Sequence, residues 1–480
     1  MLLSACISPD VRASDSYAPN GIAVSGNQLV TLKGTPVRLV GVNRSGTEYS
    51  CVRGWGVFDG PSDTASVRAM RAWHINVVRL GLNEDCWLGI NGVRAQFGGE
   101  NYQKALVDYA HELEQNGMYV ILDLHWTAPG ITPATTLQPM PDADHALEFW
   151  RSVATTFADD PNVVFDVFNE PFLIDWACWR DGCAYPGDSD SASSTVGMQS
   201  LVDTIRATGA RQPIMLGGLA FANDVREWDT YKPDDPLNQL IASVHVYPVN
   251  RCSSADCWDA EIAPIAASVP VIVGEFGTDW MPPFDDSMAH DLMNWADGRQ
   301  LSYLAWAWDA WSGPDLLVTN YRGDPTRWGF DFRANVLQNV IPRLASLLQA
   351  NAAYTRGDLS TAIDLYDQVA NTLSSDQESQ PESTAITGLA RFRATVALTS
   401  LGDDEQAHNE LQALLESDAS APVARLAAQF WDQYGMTGEL ASACAQLRAQ
   451  LGIADPTFVL LGQVGVTTQA ATLCVPPGQQ

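Results

Sequence analysis

At 480 residues the chain is long enough for one large barrel plus a smaller domain. With 46% hydrophobic and 18% charged residues it has an ordinary globular composition, which excludes a disordered chain. The net charge of −30, with lysine only at Lys33, Lys104 and Lys232, excludes a nucleic-acid partner, because phosphate binding needs cationic side chains.

The first residues read as an address rather than as a fold. Leu3-Ser4-Ala5-Cys6 resembles a bacterial lipobox, in which cleavage before the cysteine exposes it for lipid attachment. The charged and apolar regions that precede such a box are not in this sequence. Residues 1–20 are therefore expected to be a lipoprotein signal remnant and linker. Cys6 is the expected lipidation site, and the protein is expected to be secreted or anchored by lipid at the cell surface. No segment reaches the roughly 18–20 apolar residues of a membrane span.

Gly21 to Gly34 reads as a hairpin that could plug a barrel bottom. Strand-like runs then recur at 37–43, 75–81, 118–125, 163–169, 212–218, 240–247, 270–275 and 302–308. Amphipathic stretches at 62–73, 100–116, 143–158, 191–208, 256–267, 286–300 and 333–348 follow most of them, while 220–231 is mostly loop. Eight strands with interleaved helices predict an α/β fold, a (β/α)8 TIM barrel, over residues 21–348.

After Leu348 alanine and leucine dominate and strand signals nearly vanish. A Gly-acid-x-x-x-Ala pattern occurs three times: Gly357-Asp358 with Ala362, Gly402-Asp403 with Ala407, and Gly438-Glu439 with Ala443. Such helix pairs resemble tetratricopeptide repeats. Their Trp-Leu-Gly signature is missing, and an irregular helical bundle is the alternative. Residues 349–480 are thus expected to be an all-α, helical repeat domain that could dock a protein partner.

Nine cysteines suit an exported protein. Short spacings favour Cys178 with Cys183 and Cys252 with Cys257. Cys51 and Cys86 lie in loops after successive strands and could staple them. Cys444 and Cys474 would tie down the C-terminus. Free buried thiols are the alternative.

In a (β/α)8 barrel the chemistry sits at the carboxyl ends of the strands. Polar residues collect there: Arg79 in the second strand, His125 after the third, Asn169-Glu170 after the fourth, His245 and Tyr247 at the sixth, Glu275 at the seventh and Trp306 at the eighth. A carboxylate at the end of a buried strand is costly unless it is paired or used. Two in one domain suggest the carboxylate pair of a glycoside hydrolase.

The stretch Val163 to Pro171 and the motif Gly274-Glu275-Phe276-Gly277 resemble the acid/base and nucleophile signatures of glycoside hydrolase family 5, the cellulase family. His125 and the His245-x-Tyr247 pair narrow the choice among related barrels. The resemblance covers about residues 22–345. It implies a retaining glycosidase acting on β-linked glucans, most simply an endo-β-1,4-glucanase, with a β-mannanase or an exo-β-glucosidase as rivals. A non-catalytic carbohydrate-binding protein and a partner-docking scaffold are readings of a different class. Glu170 would be the general acid and then the base, its pKa raised by burial and by the other carboxylate. Glu275 would be the nucleophile, hydrogen-bonded by Arg79 and Tyr247. Asn169 would hold the sugar 2-hydroxyl, and Trp306 would stack under the ring at the cleavage point. His125 and His245 would bind sugar or orient the carboxylates. The partner is a β-linked oligo- or polysaccharide, and no cofactor or metal is needed.

Trp55, Trp87, Trp126, Trp176, Trp179 and Trp280 fall in rim loops. Each alone fits packing, whereas several together fit a cleft with multiple subsites, with Trp126 and Trp280 as candidates. The sequence departs from the family at Asp309, where a residue like Asn is usual, and in the loop after His125. Both bear on the choice of linkage.

Overall fold

In a computed structural model of the protein, the described residues are 19–184, 194–278, 285–340 without 312 and 314, and stretches between 349 and 410. Cys6, Trp280, Cys444, Cys474 and the Gly438 motif lie outside them.

The chain enters through a two-stranded antiparallel hairpin, β1 (Ala23–Ser25) and β2 (Gln28–Val30). Eight β-branched or apolar runs follow: β3 (Val40–Arg44), β4 (Val77–Asn83), β5 (Tyr119–Trp126), β6 (Val163–Asp166), β7 (Ile214–Gly217), β8 (Leu240–Val246), β9 (Val271–Phe276) and β10 (Ser302–Ala305). They pair in parallel and close on themselves in the order β10-β3-β4-β5-β6-β7-β8-β9. Helices cover the outside, which is why strands such as β4 are buried at every position. Each of the eight expected strand runs overlaps one of these strands, and β3, β4, β5 and β9 extend one or two residues beyond the expected end.

The helices lie at Thr64–Arg71, Glu100–Gln115, Ala146–Thr156, Met198–Ala207 and Ser287–Gly298. Glu100–Gln115 buries Tyr102, Leu106, Tyr109, Ala110 and Leu113, one face of a 3.6-residue period. Between β7 and β8 two single turns, Leu219–Ala222 and Trp228–Tyr231, stand in for a long helix.

The hairpin closes the amino-terminal end of the barrel. Ile22 and Leu29 pack in one cluster with Leu39, Val77, Ile121 and Ile272. Ile22 N donates to Pro161 O at 2.8 Å, and Val24 N donates to Gln239 Oε1 at 2.7 Å.

The rim is irregular where it carries function. The pairing register shifts between Leu82 and Asn83, between Val244 and His245, and between Tyr303 and Ala305, all near the carboxyl ends of strands. Disulfides brace the loops there. Cys51–Cys86 joins the loops after β3 and β4, and Cys178–Cys183 and Cys252–Cys257 each close a short segment.

The chain divides into two compact units, one of residues 1–71 and 75–328, the other of 72–74 and 329–480. In the second, helix Leu359–Asn371 buries Ala362, Tyr366 and Val369. The first two Gly-acid motifs act alike. Gly357 and Gly402 are both left-handed at φ 80°, a conformation that favours glycine. Asp358 and Asp403 then cap the next turn, accepting from Thr361 N at 3.3 Å and Gln406 N at 3.1 Å. Ala362 and Ala407 are buried.

Candidate active site

Arg79 on β4 is the hub of the carboxyl rim, and its guanidinium is buried. Nε donates to Asp166 Oδ2 at 2.9 Å. Nη1 donates to Asn43 Oδ1 at 2.9 Å and to Glu275 Oε1 at 2.7 Å. Nη2 donates to Asn169 Oδ1 at 2.8 Å and lies 3.0 Å from Asp123 Oδ2. Five N–H groups meet five acceptors contributed by four other strands or their ends, β3, β5, β6 and β9. The surrounding carboxylates hold Arg79 above the usual guanidinium range despite its burial.

Glu170 and Glu275 face one another across His245. His245 Nδ1 lies 2.9 Å from Glu170 Oε1 and 3.6 Å from Glu275 Oε2. One oxygen of each carboxylate and a ring nitrogen of His245 all lie within 4.8 Å of one another. The Tyr247 hydroxyl donates to Glu275 Oε2 at 2.9 Å, so both oxygens of Glu275 have a donor.

The two carboxyl groups sit in different surroundings. Burial pushes Glu170 up to about 7, with Asp123 adding to the effect and His125 and Arg79 opposing it. The sequence reading had assigned part of that push to Glu275. In the structure the carboxylate that contributes is Asp123. Burial, with help from Arg79 and His125, pushes His245 down to about 4, so its ring is neutral at pH 7. For His125 burial acts against the charged form. Asp123, 2.6 Å from Nδ1, together with Glu48 and Glu275, outweighs it and pushes the ring up to about 9.

The glycines of Gly274-Glu275-Phe276-Gly277 have a steric reason. A Cβ on Gly274 would come within 2.6 Å of Ser243 Oγ and 3.1 Å of His245 Nε2. One on Gly277 would lie 3.3 Å from the Tyr247 ring and 3.4 Å from Trp306 O. Trp306 stacks on His125 with centroids 5.8 Å apart and 19° between planes. All eight polar and aromatic positions read from the strand ends thus meet at one rim.

The tryptophans divide. Trp87 and Trp179 are fully buried: Trp87 Nε1 donates to Ser152 Oγ and Trp179 Nε1 to Gly217 O, and both are packing residues. Trp176 packs against Trp179 and Tyr231. Trp126 is half-buried with its centroid 6.3 Å from that of Tyr49. Tyr49 also meets Trp55 at 6.1 Å and Trp311 at 5.7 Å. Trp55 and Trp311 are 54% and 50% exposed, so they form an open aromatic shelf.

Sequence reasoning passed over Asn43, Asp123 and Asp166, all in contact with Arg79. A signal was present for Asp123. It lies two residues before His125 in an otherwise apolar strand, and period 2 puts both on the inner face. The Arg44–Asp59 pair, buried at 2.8 Å, and Glu48 were also passed over.

Two carboxylates facing each other at the carboxyl rim of a closed parallel barrel define a glycosidase-type site. Residues 30–312 match the family described as Cellulase (glycosyl hydrolase family 5). That is well over half of the chain, and the chain belongs to this family of glycosidases. It is 24% identical over 305 residues to endoglucanase CelA of Streptomyces lividans, covering 61% of this chain and 57% of that one. It is 22% identical over 352 residues to endoglucanase E-5 of Thermobifida fusca, covering 71% of this chain and 64% of that one. The chain thus spans less than two thirds of the length of these relatives. The fold is similar to that of β-glucanase SdGluc5_26A from Saccharophagus degradans, which has also been solved with cellotetraose. The TM-score is 0.50 at 20% identity, covering 66% of this chain and 93% of that one.

Proposed function

We propose that the protein is a retaining glycosidase acting on β-linked glucans, an endo-β-1,4-glucanase in the simplest case. The observation that carries this reading is the Glu170–His245–Glu275 group. One oxygen of Glu170 lies within 4.8 Å of one oxygen of Glu275, which favours the narrow spacing of retaining enzymes, about 5–5.5 Å, over the roughly 6.5–9.5 Å of inverting ones.

Glu275, held by Arg79 and Tyr247, is aimed to attack the anomeric carbon as the aglycone leaves. Glu170, protonated near neutral pH, gives its proton to the departing oxygen. After the glycosyl-enzyme forms, Glu170 takes a proton from water, which attacks the anomeric carbon, and Glu275 departs with its carboxylate restored. Neutral His245 donates from Nδ1 to Glu170 Oε1 and leaves Oε2 for the leaving group. Asn169, fixed through its Oδ1 by Arg79, has its amide nitrogen 3.5 Å from His125 Nε2 and keeps a second N–H for the sugar 2-hydroxyl. Trp306 and the Tyr49–Trp55–Trp311 shelf offer apolar faces to successive rings. The relatives' endoglucanase names and the cellotetraose complex of the similar fold support a β-glucan substrate.

Three disulfides support an extracytoplasmic location, secreted or anchored at the cell surface through Cys6. The C-terminal unit is proposed as a repeat-like helical module that docks a protein partner.

The test is Glu275→Gln, assayed against cello-, mixed-linkage and manno-oligosaccharides with product analysis. The variant should lose turnover and keep binding. Unchanged turnover would remove Glu275 as nucleophile. Products released only as single sugars, or from mannan alone, would replace the endoglucanase reading by an exo-acting or mannan-cleaving one.

A further inference from the structure

Beside the catalytic cleft, behind the rim between β4 and β5, lies a second group of ionisable side chains that the glycosidase chemistry does not use. Glu84 follows β4 directly, Thr127 follows β5, and Asp142 and His145 stand at the far end of the loop that begins at Thr127. Glu84, Asp142 and Thr127 are fully buried. Among the described residues the only ion-pair partner of either carboxylate is His145, whose Nδ1 lies 3.5 Å from Asp142 Oδ1 and 3.9 Å from Glu84 Oε2. Arginine and lysine take no part.

Backbone amides meet part of this pair: Asp142 Oδ1 accepts from Asp144 N at 3.0 Å and His145 N at 2.8 Å, and Glu84 Oε2 from Ala128 N at 3.5 Å, but among the described residues no arginine or lysine does. Thr127 Oγ1 is in contact with Glu84 Oε2, at 2.8 Å, and with Asp142 Oδ2. A hydroxyl has one proton to donate, so it serves one carboxylate and leaves the other facing its lone pairs. Among the described residues, buried Glu84 Oε1 and buried His145 Nδ1 have no hydrogen-bond partner. Buried carboxylates without a cation are costly.

We propose that Glu84, Asp142 and His145 bind a divalent first-row transition-metal ion, with Zn2+ the best fit and the Thr127 oxygen as a fourth ligand. The candidate ligand atoms of the three ionisable residues all lie within 4.8 Å of one another. An ion about 2.0–2.2 Å from each ligand sets tetrahedral neighbours roughly 3.4 Å apart, near the 3.5 and 3.9 Å from His145 Nδ1 to the two carboxylates, whereas Thr127 Oγ1, 2.8 Å from Glu84 Oε2, would draw back to admit it. One imidazole with two carboxylates and a hydroxyl suits Zn2+ better than Ca2+, which favours oxygen alone. An ion would bring positive charge to the two carboxylates, give His145 Nδ1 a partner, and free the Thr127 proton from its double demand.

The ion would also join chain segments that sequence keeps apart. The middle of the loop is already pinned, since Ala134 N donates to Asp85 Oδ2 and Asn83 Nδ2 donates to Ala134 O, both at 2.8 Å. The ion would clamp its two ends, residues 127 and 142–145, to the end of β4. The site thus acts as a staple for the loop that follows His125 and Trp126.

The test uses the full chain, dialysed against EDTA and titrated calorimetrically with Zn2+, Mn2+ and Ca2+ in separate runs. One equivalent of Zn2+ should bind, more tightly than Ca2+. A hundredfold excess over Kd should raise Tm by roughly 4–5 °C. Glu84→Gln and His145→Ala should each weaken Zn2+ binding by at least about a hundredfold and abolish the Tm rise, since loss of an outer-shell partner alone costs about 10–100-fold. His145 is partly exposed, so its variant keeps the test open if Glu84→Gln does not fold. No saturable binding of any of the three ions would overturn the proposal. So would Zn2+ binding unchanged in both variants, or tighter binding of Ca2+ than of Zn2+.

Discussion

Replacing Arg79 by lysine keeps the charge and breaks the geometry. The guanidinium presents five N–H groups to Asp166, Asn43, Glu275, Asn169 and Asp123, at 2.7–3.0 Å. A lysine ammonium has three donors and no fork, so at least two buried acceptors lose their partner. Each such loss costs about 1–3 kcal/mol, which places Arg79→Lys at about 2–6 kcal/mol of destabilisation. Arg79→Met, which removes the cation from among three carboxylates, should cost at least about 3–5 kcal/mol. Urea unfolding followed by tryptophan fluorescence measures both, and the loss should persist at high salt because a buried network is poorly screened. Turnover should fall as well, since Glu275 and Asn169 are both aimed by this side chain. An Arg79→Lys protein within 1 kcal/mol of the parent, with unchanged kcat, would refute the claim that the fork geometry organises the rim.

The alkaline limb of kcat/KM should titrate near 7. Glu170 must carry its proton to act as acid, and burial pushes it up to about 7. Activity therefore falls as pH rises through that value, about tenfold per unit beyond it. Asp123→Asn should shift the limb to lower pH by removing a neighbouring negative charge, and an unmoved limb would exclude Asp123 as a contributor. The Cys51–Cys86 bridge closes 35 residues of chain, and loop entropy gives it about 4 kcal/mol. Cys51→Ala with Cys86→Ala should lower the urea midpoint accordingly, and an unchanged midpoint would argue against the constraint.

The barrel was readable because its strands are short β-branched runs spaced by amphipathic stretches, and their order alone sets which rim is active. Glu170 and Glu275 were readable because a carboxylate ending such a run has little structural excuse. What escaped depends on contacts that no local pattern encodes. Trp87, Trp179 and Trp55 all sit in rim loops, and loops have no period to say which way an indole turns. Two of the three face the core and one faces solvent. The Glu84, Asp142 and His145 cluster was missed for a related reason. A search for ligand spacing on one helix or hairpin cannot find ligands held on separate loops, brought together only when β4 and β5 pair in register.

The departure from the family pattern at Asp309 now has a structural setting. The residue is 3% exposed and its carboxylate is engaged by neighbouring side chains. Its Oδ1 accepts from the Tyr321 hydroxyl at 2.8 Å and from Ala310 N at 2.6 Å, and its Oδ2 lies 3.5 Å from the Tyr49 hydroxyl. Burial and the adjacent Asp59 push it up to about 7, while Arg44 and Tyr321 work in the other direction. Asp59 in turn accepts from Tyr49 at 2.6 Å and from Trp311 Nε1 at 3.0 Å. The two carboxyl groups and Arg44 therefore form a polar footing under Tyr49 and Trp311. The aspartate at this position thus bears on the tilt of the shelf it supports, so on the proposed function the change at residue 309 belongs with the aromatic rings above it and apart from Glu170 and Glu275.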